Sequence, residues 1–390
     1  MKTRMFHAVV LVALLLGLAY VPAGSAPVSP PSAPDKPTAQ KVIFFAADGM
    51  RPDLVERYAA LGLMPTHREL MRRGVRGDNG MLQGFPPNTG VGWYSLATGT
   101  WPGEHGSTNN TFHRIGEGNF NNRTSFATTG ILQADTIQQA AERAGKMVVS
   151  VEWVGSRNLV PALQGPVVDF RTFFSMRGIL LNYDIPGQPQ GANAFGLAYE
   201  RVNLAAASGW TSVPPSYSPA METTLAITST LTSQNPHRYY DLYIYDSTDN
   251  AATDYDHTLV VPSTAGKDGS QAVANLAQGD WADVKVTLID SRAGQTAGFY
   301  IKAIDIAPDL SQFRIYFTSV ARANATYNGC TYASGCNTPL GFEEELNAMF
   351  PSSTAADFAP LEAGIIDEDT YVEQGLKWKD AHWAYLDYIL

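Results

Sequence analysis

Apolar and polar positions fall into three textures along this chain. Residues 1–26, MKTRMFHAVVLVALLLGLAYVPAGSA, place Lys2 and Arg4 ahead of an apolar run from Ala8 to Val21, followed by the small residues Ala23-Gly24-Ser25-Ala26. That is the layout of a cleaved secretory signal, and the run is shorter than the roughly 20 residues a membrane-spanning helix needs. Residues 27–40, PVSPPSAPDKPTAQ, have no apolar periodicity and read as a Pro-rich linker. Residues 41–47, KVIFFAA, then form an apolar run of the kind expected for a strand buried on both faces.

Helical spacing follows at residues 52–60 and 66–73. In the second, Thr66 is the expected N-cap, Glu69 stands three residues on, and Gly74 is the stop. Residues 136–144 repeat the pattern, with Asp135 as cap and Gly145 as end, and MVVSVEW at 147–153 reads as the next strand. Strand and helix in alternation predict an α/β fold with a mostly parallel sheet flanked by helices.

From Tyr239 the period shortens to two. The runs YYDLYIYD, HTLVVP, DVKVTLID, GFYIKAID and FRIYFTS are rich in β-branched and aromatic residues and are punctuated by Gly, Pro, Asp and Asn. They predict an antiparallel, sandwich-like region. The expected organisation is a first α/β core segment at 41–158, a β-rich inserted cap at 159–355, and a helix returning toward the core within 356–390. Asp369 is the expected N-cap of that helix.

Composition adds limits. The chain is 45% hydrophobic and only 16% charged, so it can bury a large core and does not read as disordered. Without Lys2 and Arg4, 25 basic residues face 37 acidic ones, a balance of −12. An acidic exported protein is not a general nucleic-acid binder, so an anionic substrate must be held by a local site. Cys330 and Cys336, in GCTYASGC, read as a small local disulfide in an oxidising compartment, because two thiols without a nearby His make an incomplete zinc site. The location implied is secreted or periplasmic, with no membrane attachment after cleavage.

Two features carry candidate chemistry. Asp48-Gly49 directly follows the first expected strand, where a carboxylate would face the ligand crevice of an α/β fold. The same dipeptide is also an ordinary turn signal. Thr89, in GFPPNTGVGWYSLATGTWPGEHG, stands where the chain enters a helix running to about Thr98, with Gly99 as the stop. A hydroxyl there is well placed to meet a phosphate among free N–H groups, although Thr at that position also serves simply as an N-cap.

The order DGM, then FPPNT some forty residues on, then LATGTWPGEHG and Asn110, resembles the type I phosphodiesterase/nucleotide pyrophosphatase family of the alkaline phosphatase superfamily. The resemblance runs from Lys41 to about Gly155. It implies an alkaline-phosphatase-like core and hydrolysis of a phosphodiester or pyrophosphate through a phospho-threonine intermediate. It further implies two Zn²⁺ ions, with Asp48 and Thr89 as ligands of one, Thr89 as nucleophile, and Asn110 as a donor to a phosphoryl oxygen. His105 would brace the loop. The expected substrate is a phosphate-ester or nucleotide-like small molecule. Gly90-Val91-Gly92-Trp93 stands where many members carry Phe-Pro-Asn-His after the nucleophile, so the apolar ring that often lies over a nucleotide base is missing there, which weakens any claim to nucleotide specificity. Thr89, together with Trp93 in place of an Arg, argues against a sulfatase.

The remaining family ligands, an Asp-x-x-x-His pair, an Asp-His pair and a final His, have no match here. His113, His237, His257 and His382 follow Asn109, Ser233, Thr253 and Trp378 by four residues. Asp256-His257 reads as a loop or strand-edge pair rather than a ligand pair, and Asp380 and His382 as surface and packing residues. The expectation is a core incomplete at its C-terminus. The alternatives are a secreted binding protein without turnover and a phosphomonoesterase or phosphonate hydrolase on the same scaffold.

Overall fold

The computed structural model describes residues 39–77, 80–187, 196–327, 341–351 and 355–390. The expected signal peptide, most of the linker, Cys330 and Cys336 lie outside the described residues. The chain divides into two compact units, Met1–Leu82 and Gln83–Leu390.

The first unit holds helices α1 (Pro52–Ala60) and α2 (Pro65–Arg73), each with proline in its first turn. There the missing N–H costs nothing. The expected Thr66 cap is displaced: Met64 holds the N-cap position without a side-chain bond, and Glu69 binds Arg72 at 2.7 and 2.9 Å instead of reaching back. Gly74 does end the helix. Residues 41–47 are not a strand. Val42, Ile43 and Phe45 are 76%, 94% and 75% exposed. A doubly buried strand needs a hydrogen-bonded neighbour on each edge and layers on both faces, and no described strand pairs with this segment.

In the second unit, α3 (Thr89–Thr98) and α4 (Pro102–His105) precede a short hairpin of β1 (Thr111–Phe112) and β2 (Thr124–Ser125). Helix α5 (Ile137–Arg143) begins one residue later than expected. Thr136, not Asp135, is its N-cap and forms a capping box with Gln139, which frees Asp135 to pair with Arg143 at the far end of the helix. Of the expected strand at 147–153, only β3 (Ser150–Val151) is in a ladder.

The remaining strands are β4 (Val167–Phe173), β5 (Arg177–Leu181), β6 (Leu197–Arg201), β7 (Ala205–Ala206), β8 (Met221–Ile227), β9 (Arg238–Tyr245), β10 (His257–Pro262), β11 (Ala274–Ala277), β12 (Trp281–Thr287), β13 (Thr296–Ile306), β14 (Phe313–Phe317) and β15 (Ala321–Thr326). They form a five-stranded sheet, β11-β10-β9-β8-β7, and an eight-stranded sheet, β3-β4-β15-β13-β14-β5-β6, with β12 also paired to β13. All five alternating runs noted from Tyr239 onward lie on strands.

The sheet is mixed rather than mostly parallel, which corrects the expectation. Among the described strands of this sheet, only β3 with β4 and β5 with β6 run parallel. The physical reason is connection length: the link from β13 to β14, residues 307–312, can only reverse the chain, whereas parallel neighbours need a crossover of a dozen residues or more.

The two sheets pack face to face. Leu225, Leu242, Ile244 and Val260 of the smaller meet Phe299, Ile301, Ile315 and Phe317 of the larger in one buried cluster. Alternation turns Ile179, Leu181 and Tyr316 to the opposite face, against Ile365 and Ile366. Helices α6 (Gly341–Met349), α7 (Phe358–Glu362) and α8 (Glu368–Ile389) complete that outer layer. Phe342 and Leu346 of α6 and Tyr385 of α8 pack on Val168, Ala323 and Ala325. Asp367, not Asp369, caps α8 by accepting the Thr370 N–H at 2.8 Å.

Candidate active site

Thr89 is the first residue of α3, and it is not the cap. Asn88 takes that role in an extended conformation, accepting the Val91 N–H at 3.3 Å. Asn110 accepts the Gly90 N–H at 2.7 Å. Two of the first three N–H groups of the helix are therefore bound by side-chain carbonyls, and the expectation of several free N–H groups around Thr89 does not hold. What the arrangement supplies instead is the Asn110 amide. Its oxygen must face the Gly90 donor, so its NH2 group is the end left for another acceptor.

Close packing fixes this geometry. A Cβ on Gly90 would lie 2.8 Å from the Asn109 carbonyl oxygen and 2.9 Å from the Phe126 ring, so only glycine lets the two segments meet. Phe126 in turn packs edge-on against Tyr94 and gives its N–H to the Asn110 carbonyl at 3.1 Å. Asn109 accepts both the Asn88 amide at 2.6 Å and the Asn110 N–H at 2.8 Å. The hairpin base and the helix start are thus one bonded unit.

His105 is wholly buried beneath them. Its Nε2 lies 3.1 Å from the Ser95 hydroxyl, and its Nδ1 accepts the Ser107 N–H at 3.2 Å. With Nδ1 an acceptor, the neutral ring must carry its proton on Nε2 and donate to Ser95. Ser107 closes the circuit by donating to the Gly90 carbonyl at 2.8 Å. Burial pulls the His105 pKa down, against weaker opposing effects of its local backbone and Glu104. The ring ties the loop after α4 to the middle and start of α3.

Asp48 belongs to the first unit. It is exposed in a turn whose Gly49 has φ +68°, so the turn signal is realised. Among the described residues, no group of three or more His, Cys, Asp or Glu side chains gathers closely enough to hold a metal ion. His257 sits 2.9 Å from Asp256 at the start of β10 and stacks on Tyr245, and His237 accepts the Ser229 N–H. His382 of α8 is 2.9 Å from Glu152, which Arg171 also pairs at 2.8 Å. The sequence reading missed this last cluster, because nothing in the spacing of residues 152, 171 and 382 brings them together.

A family model for the type I phosphodiesterase/nucleotide pyrophosphatase family matches residues 42–259, more than half of the chain. The chain belongs to that family. No curated protein and no solved structure matches it. The match spans the Asp48 turn, Thr89, Asn110 and His105, and continues through the strands as far as β10. This type I phosphodiesterase family consists of phosphoric diester hydrolases and is typically metal-dependent. The described side chains do not assemble a zinc donor set. No helix of the described residues is long and apolar enough to cross a membrane.

Proposed function

We propose that this chain is a hydrolase that cleaves phosphodiester or pyrophosphate bonds by attack of the Thr89 hydroxyl on phosphorus. The Thr89 Oγ–P bond forms as the bond to the leaving alkoxide or phosphate breaks. Water then breaks the Oγ–P bond, releasing a phosphate monoester and restoring the hydroxyl. Asn110 donates its amide to a phosphoryl oxygen as charge develops, an effect that is strong only when the donor is already fixed. The observation that supports this reading most directly is the Asn110–Gly90 hydrogen bond of 2.7 Å, which holds that donor beside the nucleophile's own backbone.

The substrate class follows from the family and from the local site. A phosphate-ester or nucleotide-like small molecule fits an acidic chain, which would repel a polyanion. We further infer export, from the charged, apolar and small-residue order of residues 1–26, and read the β-rich region as an inserted cap. Incubation of the purified chain with an activated aryl phosphodiester, with and without added divalent metal, tests the reading. Release of the aryl alcohol that disappears in Thr89→Ala, with a phosphorylated Thr89 peptide trapped by acid quench and mass spectrometry, is expected. Equal background rates for both proteins would sink the turnover claim and leave binding without hydrolysis.

A further inference from the structure

A cavity of about 380 Å³ opens behind α3, lined by Thr129, Ser156, Arg157, Asn158, Ala162 and Leu163 among others. None of the residues proposed for phosphoryl transfer lines it. Its floor is the single turn of 3-10 helix Ser156–Asn158, which follows Gly155 at φ +89°. A Cβ on Gly155 would strike the Tyr94 ring at 2.6 Å, so this turn is packed directly on the nucleophile helix. Buried Asp169 fixes the turn by accepting the Gly155 and Arg157 N–H groups at 3.1 and 3.2 Å.

The polar groups of this turn are under-used. Ser156 is 2% exposed, and its Oγ has no hydrogen-bond partner. The Arg157 Nε is likewise buried without one. The nearest carboxylate to the Arg157 guanidinium is Glu343 at 3.9 Å, and Glu343 is already engaged by Arg322 at 3.1 Å and by the Ala325 N–H at 3.0 Å. Thr129 donates only a long 3.5 Å bond, to the Asn158 side-chain oxygen, which leaves the Asn158 amide as a donor. No carboxylate is among the residues lining the cavity, and Ala162 and Leu163 give it an apolar wall.

A guanidinium whose Nε is unbonded, a buried unbonded hydroxyl and an amide, on a turn held rigid by Asp169, belong to residues that line a space large enough for a small molecule. We propose that this cavity binds a small oxyanion, a phosphate or a short-chain carboxylate, with Arg157 as the charged anchor, Ser156 and Asn158 as donors, and the Ala162–Leu163 wall accommodating a short apolar substituent.

Calorimetric titration of the full purified chain with inorganic phosphate, and separately with propionate, tests this at constant ionic strength. Saturable binding of one equivalent is expected for at least one of them, and the tighter names the class. Arg157→Gln is expected to weaken binding at least about tenfold, and Ser156→Ala about three- to tenfold. Thr89→Ala should leave it unchanged. Because the Ser156 hydroxyl bonds nothing, Ser156→Ala keeps the test alive even if Arg157→Gln folds poorly. No saturable binding of either anion overturns the proposal, as does binding indifferent to both substitutions. Loss in Thr89→Ala with retention in Arg157→Gln would place the anion at the nucleophile and overturn it equally.

Discussion

The side-chain oxygen of Asn110 accepts the N–H of Gly90 at 2.7 Å across a sequence separation of twenty residues. This one bond joins the loop before β1 to the first turn of α3 and decides which end of the amide can serve a substrate. Replacing Asn110 with Ala should cost about 1 kcal/mol of stability, the net worth of one hydrogen bond. On the proposed reading it should lower kcat/KM toward a phosphodiester on the order of 100-fold. Asn110→Asp keeps the acceptor but loses the donor, so it should retain stability while losing the rate. Urea unfolding beside aryl diester kinetics separates the two effects.

Gly90 is the tightest point of the site. Gly90→Ala forces a methyl group against the Asn109 carbonyl and the Phe126 ring. Overpacking of this kind costs about 1–3 kcal/mol. The urea midpoint should fall with the slope unchanged, and an unaltered midpoint would mean that the hairpin base moves away freely.

His105 makes stability pH-dependent. Burial holds its folded-state pKa below the unfolded value. The folded chain therefore favours the neutral ring, and the unfolded chain binds the extra proton as pH falls. The contribution is fully present above the unfolded histidine pKa near 6.5 and is lost progressively below it. Comparing unfolding free energies at pH 7.5 and 5.5 should show a decline that is smaller in His105→Gln. An equal decline in both proteins would assign it to other groups.

Glu152 also loses its contribution as pH falls, but it is the charged form that the fold favours. Burial, the largest influence, would raise its pKa, but Arg171 and His382 together outweigh it and hold the carboxyl below its ordinary value. A depressed acid contributes stability that is present above its unfolded pKa and is lost only as pH falls through the lower folded value. The Arg171 side chain is 2% exposed, so Glu152→Gln takes a carboxylate away from a buried cation and should cost about 3–5 kcal/mol at neutral pH. The loss should show in thermal unfolding. Loosening of α8, through His382, should show as faster amide exchange along that helix.

Local chemistry was legible wherever it depends on neighbours in sequence. The span of α1, the run of α3 to Thr98 with Gly99 at φ +68°, and the strands from Tyr239 onward all follow from periodicity and turn residues. The motif also groups Thr89 with Asn110, and the Asn110–Gly90 bond sets Asn110 against the first turn of α3. The N-caps of α2, α5 and α8 each fell within two residues of their expected positions. Capping depends on which of several adjacent polar groups reaches the helix, and that reach is a matter of backbone angle.

The rest needed the third dimension. Apolar residues 41–47 carry the composition of a buried strand, but burial depends on what stands beside a segment, and composition is silent on that. The direction of each strand in the large sheet was set by the length of its connections and by the partners available. The buried Glu152–Arg171–His382 group joins residues more than two hundred positions apart, so no local pattern could announce it. For this protein the sequence by itself determined the family and the helix that opens on Thr89, because these depend on short-range spacing. Only the tertiary structure decided that Asn88 and Asn110 occupy the N–H groups next to Thr89, because which donors stay free is settled by the side chains that fold against them.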